Sequence, residues 1–204
     1  TGSLWREYES GINGQYGFML SKGLKRDQIF DPPILTPSTK AEYGLHDEPI
    51  ARVDIINDLV DEDIYSKAEK YALQLFEAGQ KWAAKQGLIL VDTKYEFGLV
   101  DGELIVIDEI HTPDSSRYWI ANEYESRFIN GKDQLMLDKE NIRQWLISKG
   151  FSGEGVPPEL DDDIRILLSE KYIELYKILT GEDFNPATGD VSNRIKNNLN
   201  KAGF

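Results

Sequence analysis

The chain has 204 residues, with 23 Lys plus Arg against 36 Asp plus Glu, which gives a formal net charge of -13. This charge disfavours binding to nucleic acids and to anionic membrane surfaces, and the 40% hydrophobic residues suffice for a buried core. The sequence has no cysteine, which excludes disulfides, thiolate metal sites and cysteine nucleophiles. It also lacks an apolar presequence and any apolar run near the roughly 20 residues of a membrane span, so we expect a cytoplasmic protein.

The first half of the chain is predicted to contain loops and then one long helix. Residues 16–49 are rich in turn formers and lack helical periodicity, which indicates extended segments and loops. Asp61 is a typical N-cap, and apolar residues recur at helical spacing after it, so a helix should run to about Gln86 and end at Gly87. Later helices are expected at about Asp138–Lys149, Leu160–Leu179 and Val191–Leu199, the last within a polar tail over residues 185–204.

A strand with a charged face should follow the long helix. Leu88–Val91 is continuously apolar, as in a strand buried on both faces, and the alternation after it places Asp92, Lys94 and Glu96 on one face. Charged side chains rarely face a core unless they are paired or bound, so this face is a candidate site. The alternative is a solvated strand face that carries only a cross-strand ion pair.

A second strand is expected to pair with the first. The turn signal Asp101-Gly102 precedes an apolar run from Glu103 to Glu109, which predicts a β-hairpin over Leu88–Glu109. We therefore predict an α+β fold with a central, mainly antiparallel sheet that contains this hairpin, and with flanking helices.

The length of the hairpin loop decides which carboxylates share a face. A two-residue loop would pair Glu96 with Ile107 and place Asp108 on the opposite face. A three-residue loop with Gly102 in a bulge would pair Lys94 with Asp108 and place Glu96 diagonal to Asp108. In the second arrangement the two carboxylates can share a hard cation such as Mg²⁺.

The segment after the hairpin, His111–Trp119, has a composition that suits an anionic ligand. Arg117 offers a planar fork of donors for a phosphate, and Ser115 and Ser116 offer hydroxyl or backbone donors. The alternative is an ordinary turn in which Asp114 bonds its own backbone and the arginine is exposed.

Two long segments resemble the signature motifs of a known enzyme family. Gly87–Gly98 and Ile107–Trp119 closely resemble the two signatures of the phosphoribosylaminoimidazole-succinocarboxamide synthases, or SAICAR synthetases. The resemblance extends to Thr1–Ser3, to Thr36–Glu48 and to Glu170–Glu174, and thus covers nearly the whole chain.

This resemblance implies an ATP-dependent ligase of purine biosynthesis that joins L-aspartate to the carboxylate of carboxyaminoimidazole ribonucleotide (CAIR), with ATP and Mg²⁺ as cofactors. The family also carries an N-terminal β-rich lobe that closes over ATP, and no counterpart of it precedes Thr1. We therefore expect residues 1–204 to be the substrate- and Mg²⁺-binding portion, inactive alone, and the protein to be a monomer or homodimer. The alternatives are a noncatalytic nucleotide- or ribonucleotide-binding fragment or paralogue, and a ligase with another amine donor.

The resemblance also implies roles for individual residues. The carboxylates expected to hold Mg²⁺ against the ATP phosphates are Glu96 and Asp108. The residues expected to contact the substrates are Ser3, Lys40, His46, Asp92, Lys94 and Arg117. The residues expected to take part in catalysis are Lys94, Asp47 and Asp114.

The sequence holds two histidines, His46 and His111, and both lie within motif segments. A histidine in a polar loop is more often a structural hydrogen-bonding group than a general base, and amine attack on an acyl phosphate needs a base only weakly. We therefore assign neither residue as the general base.

Overall fold

A computed structural model describes residues 4–41, 47–137, 139–151, 153 and 155–204. Within these residues, three helices precede four short strands and four helices follow them, and none of these helices is both long and apolar enough to cross a membrane. The elements are α1 Leu4–Glu9, α2 Arg52–Asp58, α3 Glu62–Lys85, β1 Leu88–Thr93, β2 Phe97–Val100, β3 Glu103–Val106, β4 Ser116–Ile120, α4 Ala121–Ile129, α5 Glu140–Ser148, α6 Asp162–Thr180 and α7 Val191–Ala202. The predicted α+β class, with antiparallel pairing and flanking helices, is confirmed.

The long helix α3 begins and ends where the sequence predicts. The side chain of Asp61 accepts a hydrogen bond from Asp63 N, which satisfies one of the free donors of the first turn. Gly87 follows the helix with a φ of 74°, a left-handed conformation that costs glycine little. The chain therefore leaves α3 and enters β1 at once, so that β1 packs against the helix.

The predicted single hairpin over Leu88–Glu109 is wrong in its topology, because the four strands form two separate sheets. β1 pairs antiparallel with β4, which lies mostly in the His111–Trp119 segment and was not predicted as a strand, while β2 pairs with β3. The predicted first strand is interrupted at residues 94–96, which belong to neither sheet. Lys94 N instead bonds to Ser115 O at 3.2 Å, so the charged segment lies at the junction of the two sheets.

The three-residue hairpin loop is also wrong. Val100 pairs with Glu103, which leaves the two-residue loop Asp101-Gly102. Ile107 N donates to Glu96 O at 3.0 Å, as the two-residue loop requires, and Lys94 does not pair with Asp108. Asp108 itself lies in a bend beyond the last paired residue. Strand parity therefore does not determine the direction of its side chain.

The core lies between α3, the β1–β4 sheet and α6. The buried strand residues Leu88 and Leu90 are 2% and 1% exposed, while Ile89 and Val91 are only half-buried. β1 thus buries one face, and the expectation that both faces are buried is wrong. The buried cluster comprises Ala83, Leu88, Leu90, Tyr118, Leu137 and Leu175. Burying each large apolar side chain contributes about 1.5–3 kcal/mol.

The later helices match their predicted positions within a few residues. α6 begins after Asp161, whose side chain accepts from Ile164 N, and ends at Gly181 in the left-handed conformation. α7 extends the predicted tail helix to Ala202, and its residues are all exposed. No sequence pattern predicted α1, α2 or α4, each of which is at most nine residues long. Short helices depend on tertiary packing more than on local pattern.

Candidate active site

The carboxylate of Glu96 lies between two lysine side chains. Lys40 Nζ donates to Glu96 Oε2 at 2.5 Å, and Lys94 Nζ lies 2.7 Å from Oε1. The Glu96 side chain is 18% exposed, whereas those of Lys40 and Lys94 are 77% and 56% exposed. Hydrogen bonds from Lys40 and then Lys94 hold the pKa of Glu96 below its ordinary value. The structure thus brings together three predicted site residues, one of them from a distant segment.

Asp47 connects the Lys40 segment to the same cluster. Its Oδ1 accepts from Ala41 N at 2.9 Å, and its Oδ2 lies 3.8 Å from Lys94 Nζ. The hydrogen bond to Glu96 raises the pKa of Lys94, and the negative charges of Asp47 and Asp108 add to this effect. The charge of Asp108 therefore acts on Lys94 even though the two residues are not cross-strand partners. Lys94 is a cation surrounded by carboxylates.

A bidentate ion pair joins Asp92 and Arg117 across the β1–β4 sheet. Arg117 Nε donates to Asp92 Oδ1 at 2.9 Å, and Arg117 Nη2 donates to Asp92 Oδ2. The strand register places the two residues opposite each other, after an irregularity between Leu90 and Asp92. Two parallel hydrogen bonds fix the plane of the guanidinium group. Two predicted ligand-binding residues are thus held in one defined geometry, each partly exposed.

The loop before β4 contains the hydroxyl groups noted in the sequence and one ion pair that was not predicted. Lys139 Nζ donates to Asp114 Oδ1 at 3.0 Å. Within the loop, Ser116 N donates to Thr112 O at 2.9 Å and Ser115 N donates to Thr112 Oγ1 at 3.3 Å. Asp114 therefore pairs with a cation from outside both motifs. Lys139 gave no sequence signal, because an isolated lysine near a helix start is common on any surface.

The remaining predicted residues do not join the Glu96 cluster in the part of the chain that the structure describes. Ser3 and His46 lie outside the described residues. His111 is hydrogen-bonded through Nε2 to Tyr95 Oη at 2.5 Å, and burial lowers the pKa of its imidazole. Tyr95 lies inside the first motif but carried no predicted role, because an aromatic residue between two charged ones indicates only a half-buried strand.

The carboxylates of Glu96 and Asp108 are hard oxygen donors, the type that Mg²⁺ prefers, and their assignment as magnesium ligands stays a prediction. Mg²⁺ takes hard oxygen donors, and beside a phosphate it is usually held by one or two carboxylates. Across residues 4–41, 47–137, 139–151, 153 and 155–204, no group of three acidic or histidine side chains is arranged to hold a metal. A cation held by these two carboxylates would therefore have to complete its coordination with phosphate oxygens and water.

Comparison with known proteins identifies the relatives of this chain. The family model described as SAICAR synthetase matches residues 1–159. Phosphoribosylaminoimidazole-succinocarboxamide synthase from Bacteroides fragilis is 48% identical over 202 residues, which are 97% of this chain and 64% of that protein. The synthase from Bacteroides thetaiotaomicron is 45% identical with the same coverage. The chain thus spans about 64% of the length of these relatives.

Solved structures agree with this assignment. A SAICAR synthase from Saccharomyces cerevisiae complexed with SAICAR has a TM-score of 0.73 at 36% identity, and the match covers 91% of this chain and 58% of that chain. A type-2 SAICAR synthetase in complex with ADP has a TM-score of 0.59 at 28% identity, over 91% of this chain and 61% of that chain. Since the family model covers more than three quarters of the sequence, the chain belongs to the SAICAR synthetase family.

Proposed function

We propose that the protein containing this chain is an ATP-dependent ligase that joins L-aspartate to the carboxylate of CAIR and releases SAICAR, ADP and phosphate. The observation that carries this proposal is the cluster in which the Glu96 carboxylate lies between Lys40 and Lys94. Family membership supports the same reaction, as do the relatives solved with SAICAR and with ADP. The cytoplasmic location and the monomeric or homodimeric state stay predictions.

The reaction needs an activated carboxylate, because the carboxylate oxygen of CAIR is a poor leaving group toward an amine. Transfer of the γ-phosphoryl group from ATP to this oxygen gives an acyl phosphate and ADP. The aspartate amine then attacks the acyl carbon, the carbon–oxygen bond to phosphate breaks, and the new amide loses a proton. The protein therefore has to align three anions, so positioning and charge compensation account for most of the catalysis.

Lys40 and Lys94 are the residues that can compensate this negative charge. The raised pKa of Lys94 keeps its ammonium group protonated at neutral pH, and Lys40 is largely exposed beside it. Mg²⁺, held by Glu96 and Asp108, would supply additional neutralisation of the phosphate oxygens. A local group of cations is needed all the more in a chain with a net charge of -13, since the substrates approach against that field.

We further propose that Arg117 and Asp114 orient the ribonucleotide phosphate and the aspartate amine. Asp92 fixes the guanidinium plane of Arg117, and a planar guanidinium group is the type of donor that suits the ribonucleotide phosphate. Asp114, paired with Lys139, is a candidate for orienting the aspartate amine, and so is Asp47. Contacts from Ser3 and His46 to the substrates stay predictions from the family resemblance.

The test is a product assay on the complete gene product that contains this sequence. With CAIR, L-aspartate, ATP and Mg²⁺ we expect SAICAR and ADP in equal amounts, and no SAICAR when aspartate is omitted. Replacing aspartate by glutamate or asparagine distinguishes this ligase from one with another amine donor. Binding of CAIR or ATP without any turnover would instead support the noncatalytic alternative and contradict the proposal.

A further inference from the structure

The imidazole of His111 packs against the helix α3 at Gly79. Its Nε2 is hydrogen-bonded to Tyr95 Oη at 2.5 Å, and the two rings meet edge to face with centroids 5.6 Å apart. Both side chains are half-buried. Tyr95 stands between Lys94 and Glu96, so the bond attaches the segment that carries the charged cluster to the segment that carries Asp108.

Gly79 of α3 provides the space that the imidazole occupies. A Cβ atom at Gly79 would lie 2.7 Å from His111 Nε2 and 2.8 Å from Leu90 Cδ2, closer than real Cβ contacts allow. Gly79 is buried and sits within a helix, where glycine costs about 1 kcal/mol relative to alanine. This position therefore favours a residue without a side chain because of the ring next to it.

The backbone of His111 is held as firmly as its ring. The residue has a φ of 58°, in the left-handed region that residues other than glycine rarely adopt. Its carbonyl oxygen accepts a hydrogen bond from Tyr118 Oη at 2.8 Å, and Tyr118 is 2% exposed in the core. The ring and the carbonyl thus connect α3, the Tyr95 segment and β4. Unusual backbone conformations of this kind persist only where several contacts enforce them.

We propose that His111, packed against Gly79 and hydrogen-bonded to Tyr95, is a positioning residue that, together with the Ile107–Glu96 hydrogen bond, holds the Asp108 bend in place relative to Glu96. The inference rests on the proposed function, since it concerns the two carboxylates assigned there to Mg²⁺. Tyr95 is adjacent to Glu96, and Asp108 lies three residues before His111. The hydrogen bond from Ile107 N to Glu96 O already joins the residue before Asp108 to Glu96, and the His111–Tyr95 contact joins the same two segments a second time, beyond Asp108. His111 acts from behind the cluster and does not touch the substrates.

The first experiment measures metal binding in the complete gene product with Tyr95→Phe and His111→Asn. Asparagine tolerates the left-handed conformation and lacks the ring. Binding of Mn²⁺ in the presence of ADP is followed by the loss of the free Mn²⁺ paramagnetic resonance signal. We expect the dissociation constant for Mn²⁺ to rise about tenfold in both variants, as for other residues that orient metal ligands. In the ligase assay, the Mg²⁺ concentration for half-maximal rate should rise in parallel, and saturating Mg²⁺ should restore most of the turnover.

Tyr124→Phe is the matched control, because it removes another half-buried tyrosine hydroxyl, which donates to Asp27 O at 2.9 Å. This variant should bind Mn²⁺ with the same affinity as the unchanged protein. If Tyr95→Phe and His111→Asn both bind Mn²⁺ as tightly as the unchanged protein, or if Tyr124→Phe weakens binding equally, the proposal is overturned. Formation of SAICAR by an unchanged protein that binds no Mn²⁺ would also overturn it. Failure of the proposed function has a different result, namely no SAICAR from the unchanged protein.

The second experiment tests the contact between Gly79 and the His111 imidazole by a double-mutant cycle. Gly79→Ala should lower the melting temperature in the unchanged background, because the new methyl group meets the imidazole. In the His111→Asn background the same substitution should cost clearly less, since the ring is gone. Equal losses of melting temperature in both backgrounds would show that the imidazole does not pack against Gly79 and would overturn this part of the proposal. If Gly79→Ala alone does not fold while the double variant does, the contact is supported.

Discussion

Neutralising Glu96 should separate the cost in stability from the cost in catalysis. In Glu96→Gln the charge is lost while size and hydrogen-bonding capacity are kept, and the two lysines lose their partner. Lys40 and Lys94 are 77% and 56% exposed, so water can solvate both ammonium groups after the change. Exposed ion pairs contribute at most about 1 kcal/mol, which for a chain of this size corresponds to a shift of roughly 2–4 °C in melting temperature.

The catalytic effect of the same change should be much larger. If the carboxylate holds Mg²⁺ against the ATP phosphates, its loss removes several kcal/mol of stabilisation of transition-state charge. A loss of about 3 kcal/mol corresponds to roughly two orders of magnitude in rate. The assay is SAICAR formation at saturating Mg²⁺ by the complete gene product, together with thermal unfolding of the same samples.

The control for this prediction is Glu103→Gln, the same substitution at an exposed position of β3. It should leave both the turnover and the melting temperature nearly unchanged. Turnover within a factor of two of the unchanged protein in Glu96→Gln would refute the assignment of this carboxylate. A melting temperature lowered by more than about 8 °C would contradict the expectation that water solvates the two ammonium groups, since Glu96 would then contribute well above 1 kcal/mol to the free energy of unfolding.

Three other changes test the core, the histidine and the arginine. Leu90→Ala should lower the free energy of unfolding by about 2–5 kcal/mol in denaturant titrations, because Leu90 is 1% exposed, and a loss under 1 kcal/mol would contradict the assigned core. Burial lowers the pKa of His111, so the unfolded chain binds a proton more readily, and the free energy of unfolding should fall as the pH drops below about 6.5. The fall should be smaller in His111→Asn, and equal slopes of the free energy of unfolding against pH in the two proteins would exclude His111 as the cause. Arg117→Lys loses the bidentate bond to Asp92 and should raise the KM for CAIR at least about tenfold, whereas an unchanged KM would remove Arg117 from the phosphate site.

Local patterns were enough to predict the elements with strong end signals. The N-cap at Asp61 and the glycines at 87 and 181 define helix ends by backbone chemistry alone, and the structure has them there. The two-residue turn Asp101-Gly102 was also visible, but the choice between loop lengths was not. Both lengths are compatible with a glycine at position 102, so the sequence left the register of the hairpin open.

The pairing of β1 with β4 could not be predicted from local pattern. Ser116–Ile120 lies in a segment whose serines and arginine indicate a loop, and its partner β1 precedes it by more than 20 residues. The clustering of Lys40 with Glu96 is similarly nonlocal, since 56 positions separate them. Family resemblance pointed to Lys40, Glu96 and Asp108, whereas strand parity pointed only to Glu96 and Asp108, through a register that the structure does not have. The contact between Gly79 and His111 had no sequence signal, because glycine within a helix has many explanations.

The most direct measurement of the central assignment is a crystal structure of the complete gene product with Mn²⁺ and ADP, analysed by anomalous scattering at the manganese edge. We expect an anomalous peak in contact with a carboxylate oxygen of Glu96 and one of Asp108, with Lys40 or Lys94 displaced from Glu96 toward the bound phosphates. A manganese peak bound to neither carboxylate, with Glu96 still paired to both lysines, would contradict this assignment.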